Sequence, residues 1–225
     1  MSNNRVLCIA PHPDDETLGC CGTLLKHKAQ GDEIYWLLLT GPRLDDASID
    51  QERVLFRKRL IETISEAYHF DGVEYLALPA ALLHTVDVKD LVAQLSEILN
   101  RICPNIIYMM FAYDVHSDHR VAFDAVYSCT KSFRYPFIEK IYMMETLSET
   151  EFAVATSART FLPNVYVDIT DYMDMKLAIM RKYPRQLMEE PYPRSLSSIQ
   201  ALARVRGSRA GVKYAEAFQL LFEKR

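Results

Sequence analysis

The chain has 225 residues, 49% of them apolar and 25% charged, with a formal net charge of −4. That length and balance fit one large globular domain with a substantial core, and they exclude a disordered or low-complexity protein. The slight acidity argues against nucleic acid as a partner, and no apolar run approaches the ~18 residues that a membrane helix requires.

In chain order, "RVLCIA" at Arg5–Ala10 reads as a buried strand. Residues 17–30 follow with Leu18, Leu24 and Leu25 at helical spacing until Gly31 stops them. "EIYWLLLT" at Glu33–Thr40 is the second strand. After the loop "GPRLDDASID", Gln51–Tyr68 carries Val54, Leu55, Leu60, Ile61 and Ile64 in a helical pattern, and "VEYLALP" gives strand three. Leu91, Leu95, Ile98 and Leu99 mark another helix, and residues 105–114, "NIIYMMFAYD", make an interior strand. A helix over 121–132, short strands near 141–145 and 165–169, and a helix from 171 to about 182 come next. Pro184, Pro191 and Pro193 then punctuate a loop before the last helices. Strands alternating with helices predict an α/β fold: a Rossmann-like, mostly parallel sheet with helices on both faces, in one domain over 1–225.

The five cysteines form an odd set without the paired spacing of a structural zinc site, so they read as reduced thiols. "VLCIA" is too short for a signal region before Pro11, which points to a cytoplasmic protein. Cys8 and Cys103 suit the core, whereas Cys20 and Cys21 diverge on a helix and do not chelate together. Of the basic clusters, Arg57 to Arg59 reads as a solvated helix face. "ARVRGSRAG" offers Arg206 or Arg209 to a phosphate or carboxylate, or else forms a tight turn packing Tyr214 and Phe218 onto the core.

Two polar clusters follow strands one and four: "PHPDDE" from Pro11 and "HSDHR" from His116. Ligands of open parallel sheets sit beyond the carboxyl ends of the strands, so clusters a hundred positions apart converge on one pocket. His12, Asp15 and a histidine of the second cluster supply two imidazoles and a carboxylate, a composition suited to a catalytic zinc site with an open position. Asp14 remains free as a base, and Asp118 can orient whichever of His116 and His119 faces the substrate. Asp14, Asp15 or Thr17 would equally serve as a helix cap. His27, His69 and His84 lack acidic company and read as structural.

"APHPDDETLGCCGTL", the later "HSDHR" and the closing "GVKYAEAF" resemble the LmbE-like PIG-L superfamily of N-acetylglucosaminylphosphatidylinositol deacetylases, over essentially the whole chain. The resemblance implies one Zn2+ bound by His12, Asp15 and His119, with Asp14 as general base. It implies that His116, oriented by Asp118, stabilises the tetrahedral intermediate or protonates the amine. The expected reaction is hydrolytic removal of acetyl from a small N-acetylated sugar conjugate of the N-acetylglucosamine type. Departures from the pattern are Pro11, Ser117, "TGPRLDD" after strand two, and "RKYPRQ" where many members carry His followed by Ser-Gln. All concern the substrate side, for which Arg53, Arg59 and Arg120 are candidates. An amidase for a larger acyl or thiol conjugate is an alternative on the same metal site. A non-catalytic sugar- or nucleotide-binding protein is another, although "GCCG" lacks dinucleotide-binding spacing. Homo-oligomerisation is compatible with this composition.

Overall fold

From Val6 onward β1 (Arg5–Ala10) is fully buried, which requires an interior strand covered on both faces. The computed structural model describes residues 3–45 and 50–225. After β1 come α1 (Asp15–Ala29), β2 (Glu33–Thr40), α2 (Gln51–Tyr68), β3 (Gly72–Leu78), α3 (Val88–Ile102) and β4 (Ile106–Met109). The chain continues through α4 (Ser117–Ser128), β5 (Lys140–Met144), β6 (Val165–Asp168), α5 (Met173–Met180), α6 (Leu196–Ala210) and β7 (Ala215–Glu223).

One seven-stranded sheet has the order β3-β2-β1-β4-β5-β7-β6. The first five strands run parallel, with Val6 opposite both Ile34 and Ile106, and β7 runs antiparallel between β5 and β6. The period of two along each strand separates two cores. Val6, Cys8, Ala10 and Trp36 pack beneath α1, α2, α5 and α6, while Leu7, Ile9, Leu37 and Leu39 face α3 and α4. This is the mostly parallel α/β sheet with helices on both faces that the alternating pattern predicts. Among the described residues no helix is long and apolar enough to cross a membrane.

Several boundaries differ from expectation, each for a local reason. β4 ends at Met109 because residues 110–114 turn out of the sheet, although Met110 and Phe111 stay buried. α4 starts at Ser117, four residues before the expected 121, because the His116 side chain caps it by accepting from the Asp118 N–H. Gly211, in the left-handed region at φ 74, stops α6. The residues beyond it form β7 rather than a further helix: pairing with two strands overrides the helical preference of Ala and Glu in "AEAFQLLFE". Cys103 is half-buried at the left-handed C-cap of α3 rather than in the core. All five cysteines are free, and Cys8 Sγ lies 3.4 Å from Cys20 Sγ at a kink in α1.

The glycines flanking the paired cysteines let α1 settle on its neighbours. A Cβ on Gly19 would meet Met144 Sδ at 2.5 Å, and one on Gly22 would meet Ile169 Cγ2 at 2.5 Å. Beneath this contact the buried Glu216 accepts from the Gly22 and Thr23 N–H groups, the Thr23 hydroxyl and Lys176 Nζ, linking α1, α5 and β7. Gly22→Ala overpacks the seam and should lower stability by about 1–3 kcal/mol. A urea-unfolding midpoint equal to that of the parent would refute this close packing.

Candidate active site

The strand order reverses direction at β1, so β2 and β4 diverge on either side of it and leave a crevice beyond their carboxyl ends. The turn from β1 into α1 occupies that crevice. It is tied to β2 through the Pro11 carbonyl, which accepts from the Thr40 N–H (3.1 Å) and hydroxyl (2.7 Å). Asp14 then adopts φ 131, ψ −23, a conformation that costs an L-residue about 1–3 kcal/mol. Although Asp14 stands at the N-cap position, its side chain makes no capping bond. Its carboxylate is buried and turned toward the crevice, with Oδ2 lacking a hydrogen-bond partner and Arg194 Nη1 at 3.9 Å. Burial, reinforced by Asp15 and Glu16, pushes the Asp14 pKa well above the carboxylate range. The turn is braced from behind by Glu16, which accepts from Thr17 Oγ1 and the Tyr183 hydroxyl (both 2.5 Å) and from the Asp14 N–H (3.2 Å).

Two histidines converge on Asp15. Its Oδ2 accepts from the His12 N–H at 2.8 Å and lies 3.6 Å from His12 Nδ1 and 3.3 Å from His119 Nε2. Each ring has its other nitrogen on a buried carboxylate: His12 Nε2 on Asp118 at 3.0 Å, and His119 Nδ1 on Asp114 at 2.8 Å. Asp118 also accepts from the Ala81 and Leu83 N–H groups, and Asp114 from the Thr150 hydroxyl. Burial opposes a charge on His119, but Asp15 and Asp114 outweigh it and hold the ring's pKa well above normal. Burial likewise opposes ionisation of Asp118, yet the His12 bond and the two backbone donors lower its pKa to about 2.

This arrangement fits a metal ion. One ligand atom from each of His12, Asp15 and His119 lies within 4.8 Å of the others, and His119 Nε2 is buried without a hydrogen bond. The carboxylate behind each imidazole is the support that fixes a metal-ligating histidine in tautomer and orientation. His12, His116 and Asp118 also come within range of one another. In that set, however, both Asp118 oxygens already accept backbone donors and His116 Nδ1 accepts from the Asp118 N–H.

The contacts redirect one expectation. Asp118 orients His12 rather than His116, whose ring is instead fixed by the backbone of its own helix. With Nδ1 accepting, the proton of a neutral His116 sits on Nε2; burial, then His12 and His119, lower its pKa and favour that neutral form.

The substrate arginines differ as well. Arg53 and Arg59 are exposed and do not line the cleft, and Arg120 donates to the Asp114 and Val115 carbonyls, holding the loop before α4. The cleft, about 310 Å³, is lined instead by Arg57, Arg185, Gln186 and Arg194 beside His12, Asp14 and His116. Arg57 therefore leaves the solvated face assigned to its cluster. Arg206 is paired with Glu145 through two hydrogen bonds and Arg209 is exposed, so neither offers an anion site at the cleft, while Tyr214 and Phe218 pack into the core. Asp114, Arg185 and Arg194 were not expected. Asp114 closes "NIIYMMFAYD", where a carboxylate ending an apolar strand is the available signal, and Arg185 lies in the departing "RKYPRQ". His27 has the expected structural role, bonded to Asp32 (2.6 Å) and Tyr108 (3.1 Å).

Known proteins share this arrangement of chain. Over 223 residues the chain is 25% identical to diacetylchitobiose deacetylase of Thermococcus kodakarensis, covering 96% of this chain and 83% of that protein. The conserved protein TT1542 of Thermus thermophilus superposes with a TM-score of 0.76 at 25% identity, covering 99% of this chain and 96% of that one. GalB, the 4-carboxy-2-hydroxymuconate hydratase of Pseudomonas putida KT2440, superposes at 0.77 with 18% identity over 99% and 98% of the two chains, a likeness of fold alone. The family model described as PIG-L, GlcNAc-PI de-N-acetylase, matches residues 7–130. That span contains both turns that build the crevice, and the chain belongs to the PIG-L family.

Proposed function

We propose that the chain is a zinc-dependent N-deacetylase, its one domain spanning 1–225, that hydrolyses the acetamide of an N-acetylglucosamine-type sugar conjugate. The observation that carries the reading is the buried, unbonded His119 Nε2 beside Asp15 and His12, with a carboxylate behind each ring. Membership of the family and the likeness to a diacetylchitobiose deacetylase support it.

In this reading His12, Asp15 and His119 hold the ion, and Asp118 and Asp114 fix the two imidazoles. The chemistry that a divalent ion contributes in such a site is Lewis acidity toward the amide carbonyl and toward water. Asp14 takes the proton of the attacking water: its free Oδ2 faces the cleft, and burial makes its carboxylate more basic than an exposed one. His116 presents its Nε2 proton to the developing oxyanion as a neutral donor. The proton held by Asp14 then passes to the departing amine, so one carboxylate serves both halves of the reaction.

Asp14→Asn should retain the metal and lose about 100-fold or more in kcat. Elemental analysis beside an acetate-release assay separates the outcomes, and loss of the metal would reassign Asp14 as a ligand. Asp118→Asn and Asp114→Asn should each weaken metal affinity about 10–100-fold, read by chelator competition; unchanged affinity would break the link from these carboxylates to the ligands. Incubating the zinc-loaded protein with N-acetylglucosamine conjugates should yield equal amounts of free amine and acetate. Turnover confined to bulky acyl amides would replace this substrate class, and no turnover with any amide would overturn the catalytic reading.

A further inference from the structure

The wall of the cleft facing Asp14 carries three arginines with little counter-charge. Arg57 reaches it from α2, and Arg185 and Arg194 from the loop between α5 and α6. Among the described residues, neither Arg57 nor Arg185 has a carboxylate within 4.0 Å, and Arg194 has only Asp14 Oδ2, at 3.9 Å. Buried hydrogen-bonding capacity is left unused at the same place: Arg57 Nη1, Arg194 Nε and Gln186 Oε1 all lack partners. Arg185 lies over the Phe56 ring at 4.2 Å, which restricts the side chain at the rim.

Leaving buried donors of charged groups unsatisfied costs more than leaving neutral ones so, and a guanidinium held without an acid is matched to an anion by its fork of donors. The remaining acid of the wall, Glu149, forms no ion pair with these arginines; it accepts from the Ser148 hydroxyl, and burial raises its pKa. Asp15 is engaged by the two histidines. A neutral disaccharide would leave this wall uncompensated, whereas a ligand bearing a carboxylate or phosphate would satisfy it.

We infer that Arg57, Arg185 and Arg194 form an anion subsite, and that the conjugate carries a carboxylate or phosphate group held there while its acetamide faces Asp14. The inference rests on the proposed deacetylation for its substrate class. The subsite itself stands on the geometry of the three arginines. Arg185 and Arg194 set the preference for charged over neutral conjugates, and Arg185 occupies the segment in which the chain departs from its family's pattern.

The test compares the zinc-loaded enzyme with R185Q and R194Q on methyl N-acetylglucosaminide, N-acetylglucosamine 1-phosphate, the 6-phosphate and the 1-O-carboxymethyl glycoside. Both kcat/KM for acetate release and calorimetric affinity are measured. At least one charged compound should exceed the neutral one by about tenfold or more in each measure, chiefly through KM, and either variant should bring that ratio close to one. A preference for the phosphates or for the carboxymethyl compound identifies which anion the wall is shaped for. Equal values for charged and neutral compounds, or a preference that survives both substitutions, would overturn the inference while leaving deacetylation intact. Charge-selective binding lost in the variants, without acetate release from any compound, would uphold the subsite and overturn the deacetylase reading.

Discussion

Five carboxylates, Asp14, Asp15, Glu16, Asp114 and Asp118, are each no more than 4% exposed around the ends of two strands. Burying so much like charge in one place is unfavourable unless each group is paired, hydrogen-bonded or protonated. The molecule uses all three routes. Asp118 is held ionised by backbone N–H groups and His12, and Asp15 is held below the carboxylate range, against its own burial, by His119 and His12. Glu16, lifted to about 7 by burial, shares short bonds with two hydroxyls. Asp14 alone is left without a hydrogen bond to its outer oxygen. The crevice is therefore built to accept positive charge at one point and a proton at another.

The sheet makes this concentration of charge possible. Its two cores are fully apolar along β1 and β2, and they fix the strand ends firmly enough to hold Asp14 in a strained conformation. The seam between α1 and the sheet acts in the same direction. Gly19 and Gly22 bring the helix close, and Glu216 anchors its first half from below, so the aspartates above it have little freedom to swing away.

Much of this was legible in the residues, and what was not has identifiable causes. The strands announce themselves because parallel strands covered on both faces are continuously apolar, and the two motif turns follow because a cluster of ionisable groups after such a strand has few other uses. The role of Asp118 was misassigned because proximity in sequence to His116 suggested a contact. In space Asp118 reaches back across the crevice to His12, 106 positions earlier. Asp114 was hidden as the last residue of an overlong strand, and β7 was hidden by helix-favouring residues whose conformation is decided by pairing with β5 and β6. The cleft arginines were the least legible. Arginines on helices and loops are indistinguishable by pattern from those that face solvent, and Arg57 separates from Arg53 and Arg59 only when α2 is set against the sheet.

The placement of the loop between α5 and α6 divides the chain's labour unevenly along its length. The seven polar residues gathered at the two strand ends, His12, Asp14, Asp15, Asp114, His116, Asp118 and His119, fall within the span 7–130 that matches the family model. Arg185, Gln186 and Arg194 come after it. The crevice and Arg57 thus lie in the stretch that the family model covers, while these three residues of the cleft wall come from a proline-punctuated segment between two helices. Tyr183, at the start of that segment, bonds Glu16 behind the Asp14 turn, so the cleft wall and the turn it faces are fastened to each other and a change in one is felt by the other.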